Sequence, residues 1–259
     1  MGKEPLKCAA ARGWKLELGS NPGMVGANVA IMKLIRPILI AGVALAAGLL
    51  SSCSDGRLVG RPGSLIAYQS YDRPAKKPSN PSAVRVKVSL SKQMVYVMEG
   101  GNPLLVMPVS VGAPGTTTPS GNFSIFKKEH KHRANTHGYA YSGNQVKKTM
   151  LASKPGGWSF KGTPMPYWCE FKANYGFHTG WVKHTPCTHG CIRMHENLAP
   201  KFYQMVKVGT PVNISYSQPE DATLGKIDLP PDAGPLPDYG GTMYTGDGYF
   251  TRHKEVRFD

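Results

Sequence analysis

The sequence is poor in acidic residues. Its 259 residues include 16 Asp and Glu against 31 Lys and Arg, which gives a formal net charge of +15 at pH 7. Charged residues make up only 18% of the chain, whereas glycine (30) and proline (22) are abundant. Such a composition disfavours a helical bundle and favours short strands joined by turns. The basic balance points to a polyanionic partner, either nucleic acid or an anionic envelope polymer or membrane.

The chain also lacks an apolar run long enough to form a comfortable membrane-spanning helix. The run at 38–50 is shorter than the roughly 20 residues that such a helix needs. It follows the basic start Met32-Lys33 and ends in Ser51-Ser52-Cys53, which is the pattern of a secretory signal. The ending resembles the lipobox of bacterial lipoproteins, in which Cys53 is lipidated. We therefore expect the protein at the periplasmic face of the cell envelope, held to the membrane by lipid, where nucleic acid is excluded as a partner.

Composition divides the rest of the chain into three parts. Residues 1–52 are predicted to be an upstream extension plus the lipoprotein signal peptide, with Met32 a candidate for the true start. Residues 53–82 are rich in Pro, Ser and basic residues and are typical of a linker. Residues 217–259 are rich in Pro, Gly and Tyr, and we expect a tail with little fixed structure. The predicted folded domain is 83–216.

The predicted domain is mostly β. Val84, Val86 and Val88 alternate with basic residues, as in a half-buried strand. Further strands are predicted at 93–98, 104–111, 122–126 and 210–216, with a hairpin turn at 99–102. The basic, His-containing stretch 127–144 has no clear period and is predicted to be a solvated loop or lid.

One short helix is predicted after residue 196. Leu198, Phe202 and Met205 fall on one face of it, Asn197 can cap its start, and Gly209 ends it.

The chemistry is concentrated in two nearby segments, YGFHTG at 175–180 and THGCIRM at 188–194. A cysteine attacks as the thiolate, and therefore needs a lowered pKa or an adjacent base, for which histidine is well suited. His178 and Cys191 can meet if the two segments fold back on each other. Gly190 allows a tight turn, so that backbone N–H groups near Cys191 can face a developing oxyanion.

These two segments resemble the active-site signature of the L,D-transpeptidases, the family with the YkuD-type catalytic domain. The resemblance extends to 109–125, 162–167 and 209–212, so that it covers roughly 84–215. It implies a β-sandwich-like catalytic domain that cleaves the terminal D-Ala from a peptidoglycan stem tetrapeptide. The acyl group passes to the cysteine and then to an amine on another stem peptide or on a protein. Peptidoglycan stem peptides are the implied substrate, and neither a cofactor nor a metal is expected.

The resemblance also implies roles for individual residues. Cys191 is the nucleophile, and His178 is the general base, oriented by the backbone carbonyl of Thr179. His189, Gly190 and the Cys191 N–H line the oxyanion region. The substrate-contact candidates implied by these motifs are Tyr175, Thr179, Thr188 and Arg193.

Three alternatives remain open at this level. The stretch between His178 and Thr188 is shorter than is usual in the family, so a carboxypeptidase or endopeptidase that uses water as the acceptor is one alternative. The second is a wall-binding lipoprotein without turnover. The third is a zinc site, because Cys187 and Cys191 have tolerable spacing, although no Cys-x-x-Cys or His-x-x-x-His pair occurs in this region. A disulfide between Cys169 and Cys187 explains the spare cysteines better, since an exported compartment favours it.

Overall fold

The computed structural model describes residues 65–232, 239–251, 256 and 258–259. The predicted signal peptide and Cys53 lie outside the described residues. The described strands are β1 (Val84–Ser89), β2 (Met94–Glu99), β3 (Asn102–Ser110), β4 (Gly121–Ser124), β5 (Lys127–Glu129), β6 (Arg133–Ser142), β7 (Gln145–Met150), β8 (Ser159–Pro164), β9 (Trp168–Lys172), β10 (Tyr175–Thr179), β11 (Ile192–Met194) and β12 (Pro211–Ser215). The described α-helices are α1 (Leu65–Ser70), α2 (Ala199–Met205), α3 (Gly241–Thr245) and α4 (Gly248–Thr251).

Alternating hydrophobicity forms the first strands, as predicted. Val84, Val86 and Val88 of β1 are buried in the main core, whereas Arg85 is exposed. β2 is buried on both faces, because Val95 and Val97 enter that core while its other apolar residues form a second cluster. Strands β2 and β3 form the expected hairpin, pairing antiparallel around the turn that follows Glu99. The prediction of a mostly β domain with one short helix after Cys191 is confirmed.

Nine strands form one sheet in the order β4-β12-β1-β2-β3-β11-β10-β9-β5. Its edge strands, β4 and β5, are joined by only Ile125 and Phe126. The N–H of Ile125 bonds to Thr210 beside one edge, and the N–H of Phe126 bonds to Glu170 of β9 beside the other. The sheet therefore curls until its two edges approach each other, and the main core lies inside the curl.

Strands β7, β6 and β8 form a separate three-stranded sheet. Gly138 lies where strands approach closely, because a Cβ there would come within 2.2 Å of the Lys161 carbonyl oxygen. The prediction of a loop at 127–144 is thus wrong, since this stretch forms β5 and β6. Exposed positions dominate β7, so no alternation of apolar residues marks these strands.

Helix α2 packs against the core side of the sheet, with the rings of Phe202 and Phe177 4.8 Å apart. The predicted cap is incorrect: Leu198 occupies the N-cap position and makes no side-chain cap bond. The Asn197 side chain instead donates to the carbonyls of Gln69 and Tyr71. A contact with the preceding segment has replaced the local cap.

Part of the predicted linker belongs to the fold. Tyr68 of α1 is only 1% exposed, and its hydroxyl accepts the N–H of Val182 at 2.9 Å. The carbonyl of Tyr68 bonds to His195, and Lys201 of α2 binds Asp72. The segment around Tyr68 and Asp72 is therefore anchored to α2 and to the residues on either side of β11 by contacts that sequence spacing does not reveal.

The described parts of the C-terminal segment are also ordered by packing, contrary to the expected tail. Asp221 accepts the hydroxyls of Tyr96 and Ser89 at 2.7 and 2.8 Å, and Leu224 packs on the second apolar cluster. Tyr244 of α3 stacks on Tyr139 of β6, with ring centroids 4.8 Å apart. Aromatic residues thus bury this segment even though its composition is rich in Pro and Gly.

Among the described helices, none has the length and apolarity that crossing a membrane requires.

Tyr244→Ala should destabilise the domain by about 3 kcal/mol, because it removes a buried, stacked ring from the contact between α3 and β6. Tyr216→Ala is the matched control, because Tyr216 is 77% exposed and its loss should change stability by less than about 0.5 kcal/mol. Urea unfolding measures both. Equal effects of the two substitutions would show that the C-terminal segment does not stabilise the fold.

Candidate active site

The register of β10 and β11 places the sequence-predicted residues on one face of the sheet. These strands pair in parallel, with Phe177 opposite Ile192 and His178 opposite Arg193. Phe177 and Ile192 are fully buried in the core. Because side chains alternate along a strand, His178 and Arg193 point away from the core, as does Cys191, two residues before Arg193.

Strands β9 and β5 extend this face. Glu170 pairs with Gly176, and Glu129 of β5 pairs with Trp168. Gly176 is required beside Trp168, since a Cβ at residue 176 would lie 2.7 Å from the indole ring. The indole thus covers the glycine between the two strands, and its centroid lies 6.1 Å from that of His178.

Cys191 is a half-buried thiol whose Sγ donates to the carbonyl of Asn174 at 3.7 Å. Burial raises the pKa of this thiol, and the negative charge of Glu170 adds to that effect. The N–H of Gly176 and the charge of Arg193 favour the thiolate and oppose the shift. Burial is the largest of these contributions, so the resting group is a thiol.

His178 is 7% exposed, and its Nδ1 lies 2.8 Å from the Thr179 carbonyl oxygen. A carbonyl can only accept, so Nδ1 carries the proton and Nε2 keeps its lone pair. Burial lowers the pKa of His178 to about 3, assisted by the nearby charge of Arg193. The imidazole is therefore neutral at pH 7 and can act as a base.

The resting pair is thus a neutral thiol and a neutral imidazole. Among the described residues, the hydrogen-bond partner of the Cys191 S–H is Asn174 and not His178. Cys191 directly precedes β11, and His178 lies on the adjacent strand β10, on the same face of the sheet. The thiol would therefore have to rotate away from Asn174 before it could give its proton to Nε2.

Gly190 shapes the loop before Cys191. Its φ of +105° is unfavourable for other residues, and a Cβ would lie 2.5 Å from the ring of Tyr175. The hydroxyl of Thr188 accepts the Gly190 N–H at 3.1 Å and donates to the Cys191 carbonyl at 2.6 Å. Thr188, predicted as a substrate contact, is 3% exposed and bonds within the loop.

Two other N–H groups face no protein acceptor. In the part of the chain that the structure describes, those of His189 and Cys191 have no hydrogen-bond partner. They are the donors that this loop can offer to an oxyanion, whereas the Gly190 N–H is already used.

His189 is exposed and stacks on His137 of β6, with centroids 4.8 Å apart. The three-stranded sheet therefore contacts the loop before Cys191 through His137. Met150 of β7 pairs with His137 and is 45% exposed. In the sequence, His137 stands out only as one of the histidines of the 127–144 stretch, and Met150 carries no signal.

Arg193 contacts Cys187 and acts electrostatically on Cys191 and His178. Its Nη1 is 3.7 Å from the Sγ of Cys187, and its charge lowers the pKa of both His178 and Cys191. None of the ion pairs found among the described residues involves Arg193. Its half-exposed guanidinium can bind a carboxylate of a ligand.

The predicted Cys169–Cys187 disulfide is absent, and all three cysteines of the described region are free. Cys169 pairs with Phe177 and is fully buried in the core. Cys187 contacts Arg193, on the opposite side of the sheet. Thiols that point away from each other in this way cannot be joined without moving the backbone.

The short stretch between His178 and Thr188 is fixed by several contacts. The N–H of Lys183 donates to Ser110 Oγ at 2.7 Å, and the Gln93 side chain donates to the His184 carbonyl at 2.8 Å. His184 Nε2 lies 2.7 Å from the carbonyl oxygen of Pro230 in the C-terminal segment. The His184 side chain thus binds the C-terminal segment and not Cys191 or His178.

No cluster of three or more metal-binding side chains occurs within the described residues. The chemistry that the site offers is nucleophilic attack by a thiol, proton transfer by a neutral imidazole, and oxyanion binding by backbone N–H groups.

Comparison with known proteins identifies the family. The model of the L,D-transpeptidase catalytic domain (YkuD) matches residues 83–214, just over half of the chain. The chain therefore belongs to this family. No match was found among curated proteins.

Solved L,D-transpeptidases are similar to the chain at low identity. One from Mycobacterium smegmatis is 20% identical, with a TM-score of 0.40 over 51% of this chain and 58% of that one. One from Stackebrandtia nassauensis is 24% identical, with a TM-score of 0.40 over 60% and 65%. One from Xylanimonas cellulosilytica is 20% identical, with a TM-score of 0.40 over 56% and 65%. The chain thus spans less than two thirds of the length of these proteins.

Folding stability should depend on pH through His178. Its pKa is about 3 in the folded protein and about 6.5 in an unfolded chain. The stability it contributes is present above pH 6.5 and is lost as the pH falls towards 3, because only the unfolded state takes up the proton easily. Lowering the pH from 7 to 5 should reduce the free energy of unfolding by about 2 kcal/mol through this residue.

Urea unfolding of the wild type and of His178→Asn at both pH values measures the effect. The variant should lack this part of the pH dependence. An identical pH dependence in the two proteins would contradict a neutral, buried His178.

Proposed function

We propose that this protein is a peptidoglycan L,D-transpeptidase in which Cys191 is the nucleophile and His178 the general base. The observation that carries the proposal is that Cys191, just before β11, and His178 of β10 lie on the same face of the sheet, with His178 Nδ1 bonded to Thr179. Membership of the L,D-transpeptidase family supports it.

The first half-reaction makes a thioester. His178 Nε2 takes the proton of the Cys191 thiol, and the sulfur attacks the carbonyl carbon that precedes the terminal D-Ala of a stem tetrapeptide. The N–H groups of His189 and Cys191 stabilise the oxyanion. Collapse of the intermediate breaks the peptide bond, and the imidazolium returns the proton to the leaving D-Ala amine.

The second half-reaction transfers the acyl group. An amine of another stem peptide or of a protein attacks the thioester, loses a proton to His178 and releases the Cys191 thiol. Arg193 is suited to bind a substrate carboxylate, since it is half-exposed and lies beside the dyad. The ring of Tyr175 packs on Gly190 and forms one wall of the proposed substrate-binding site.

The protein acts at the periplasmic face of the cell envelope in this proposal, anchored through lipid on Cys53. The apolar run before the Ser51-Ser52-Cys53 sequence supports this location. Cys53→Ala should move the protein from the membrane fraction to the soluble periplasmic fraction. If the variant stays with the membranes, the lipid anchor is wrong, and the chemistry of the site is unaffected.

Cys191→Ala should abolish release of D-Ala from a stem tetrapeptide, because no other group of the site can hold the acyl intermediate. Cys187→Ala is the matched control, since it removes a thiol four residues away that has no role in acyl transfer, and it should retain most activity. Chromatographic quantification of D-Ala measures both. Retention of a tenth of wild-type turnover by Cys191→Ala would exclude Cys191 as the nucleophile.

His178→Ala should reduce turnover about as much as loss of Cys191, because the base and the nucleophile act as a unit. His189→Ala should keep measurable acylation, since its contribution to the oxyanion site is a backbone N–H that alanine retains. Single-turnover acylation by a tetrapeptide compares the two variants. The reverse order of effects would show that the roles are misassigned.

A further inference from the structure

Glu170 stands beside the nucleophile without belonging to the motif that identified it. It lies on β9, paired with Gly176 of β10 and with Lys127 of β5. The N–H of Gly176 is also one of the groups that lower the pKa of Cys191. Glu170 is therefore on the same face of the sheet as Cys191, with one strand between them.

The carboxylate of Glu170 holds the turn between β9 and β10. Its Oε1 accepts the N–H of Asn174 at 2.8 Å, and its Oε2 accepts the indole N–H of Trp168 at 3.3 Å. Asn174 has a φ of +65°, a left-handed conformation that residues other than glycine seldom adopt. The hydrogen bond to Glu170 stabilises this conformation.

The same turn holds the nucleophile, because the carbonyl of Asn174 accepts the S–H of Cys191. A connected path thus runs from the Glu170 carboxylate through the Asn174 peptide to the thiol. A carbonyl acceptor stabilises a thiol and not a thiolate. The negative charge of Glu170 acts in the same direction, since it raises the pKa of Cys191.

Other charged or titratable groups also surround the thiol. Arg193 on β11 and the Gly176 N–H favour the thiolate, while His178 is neutral. Lys127 on β5 lies behind Glu170 and forms a 2.7 Å ion pair with Glu129. Of the groups that face Cys191, Glu170 is the one with a negative charge.

We propose that Glu170 is a positioning residue that keeps Cys191 in a resting, protonated state, bonded to Asn174 and turned away from His178. The proposal rests on the assigned role of Cys191 as nucleophile. The thiol then ionises when substrate and His178 draw it away from Asn174. The consequence is that simple alkylating agents react slowly with Cys191 in the free protein at neutral pH.

The test is the pH dependence of Cys191 alkylation by iodoacetamide in the full-length protein, followed by peptide mapping. Because the pKa of His178 is about 3, the rate between pH 6 and 10 reports ionisation of the thiol. Glu170→Gln keeps an oxygen acceptor for Asn174 and removes the charge. It should lower the midpoint by about 0.5 pH unit, which is about a threefold faster reaction below the midpoint.

The matched control is Glu129→Gln, which removes a carboxylate from the same sheet face one strand further from Cys191. Its midpoint should equal that of the wild type, and alkylation of Cys187 should be the same in all samples. A midpoint in Glu170→Gln that is unchanged or raised overturns the proposal, as does an equal shift in Glu129→Gln. A faster reaction at every pH without a change of midpoint also overturns it, because it indicates loosening of the loop alone.

Buried Cys169 reports the integrity of the fold, since it should resist alkylation in every variant. If Glu170→Gln exposes Cys169, Glu170→Ala replaces it and must shift the midpoint in the same direction. Iodoacetamide requires no peptidoglycan. A failure here is thus distinct from a failure of the transpeptidase assignment, which is judged by release of D-Ala.

Discussion

The parallel register between β10 and β11 is the constraint on which the site depends. Side chains alternate between the two faces of the sheet along both segments. Because Phe177 and Ile192 are buried in the core, the opposite face carries His178, Cys191 and Arg193. A shift by one residue would exchange the faces, placing these proposed catalytic side chains in the core. Burial of two apolar side chains therefore determines where the reactive side chains lie. Helix α2 stabilises this arrangement, because Phe202 contacts Phe177.

The environment of the dyad explains why both groups are neutral at rest. Burial disfavours the imidazolium and the thiolate alike. In the proposed mechanism, ionisation is linked to the arrival of a substrate whose developing negative charge meets the N–H groups of His189 and Cys191 and the guanidinium of Arg193. These positive groups have no negative partner among the described residues of the resting protein, and the substrate would supply it.

Sequence reasoning succeeded where local pattern determines structure. Alternating valines predicted β1, and the residues around 191 predicted the family. It failed where contacts between segments that are distant in sequence determine the structure. The strands at 127–144 lack alternation because they are largely exposed, and the C-terminal segment is ordered by aromatic contacts such as Tyr244 with Tyr139. The predicted disulfide was wrong because strand alternation sends Cys169 into the core. Glu170 could not be found because its position depends on a β-bulge between β9 and β10.

The proposed mechanism requires Cys191 to carry the acyl group. Rapid acid quench of the enzyme with a stem tetrapeptide, followed by intact-mass and peptide mass spectrometry, tests this most directly. We expect a thioester on the peptide that contains Cys191, an added mass equal to that of the tetrapeptide less its terminal D-Ala, and one D-Ala released for each adduct. Release of D-Ala without an adduct, or an adduct on any other residue, would contradict it.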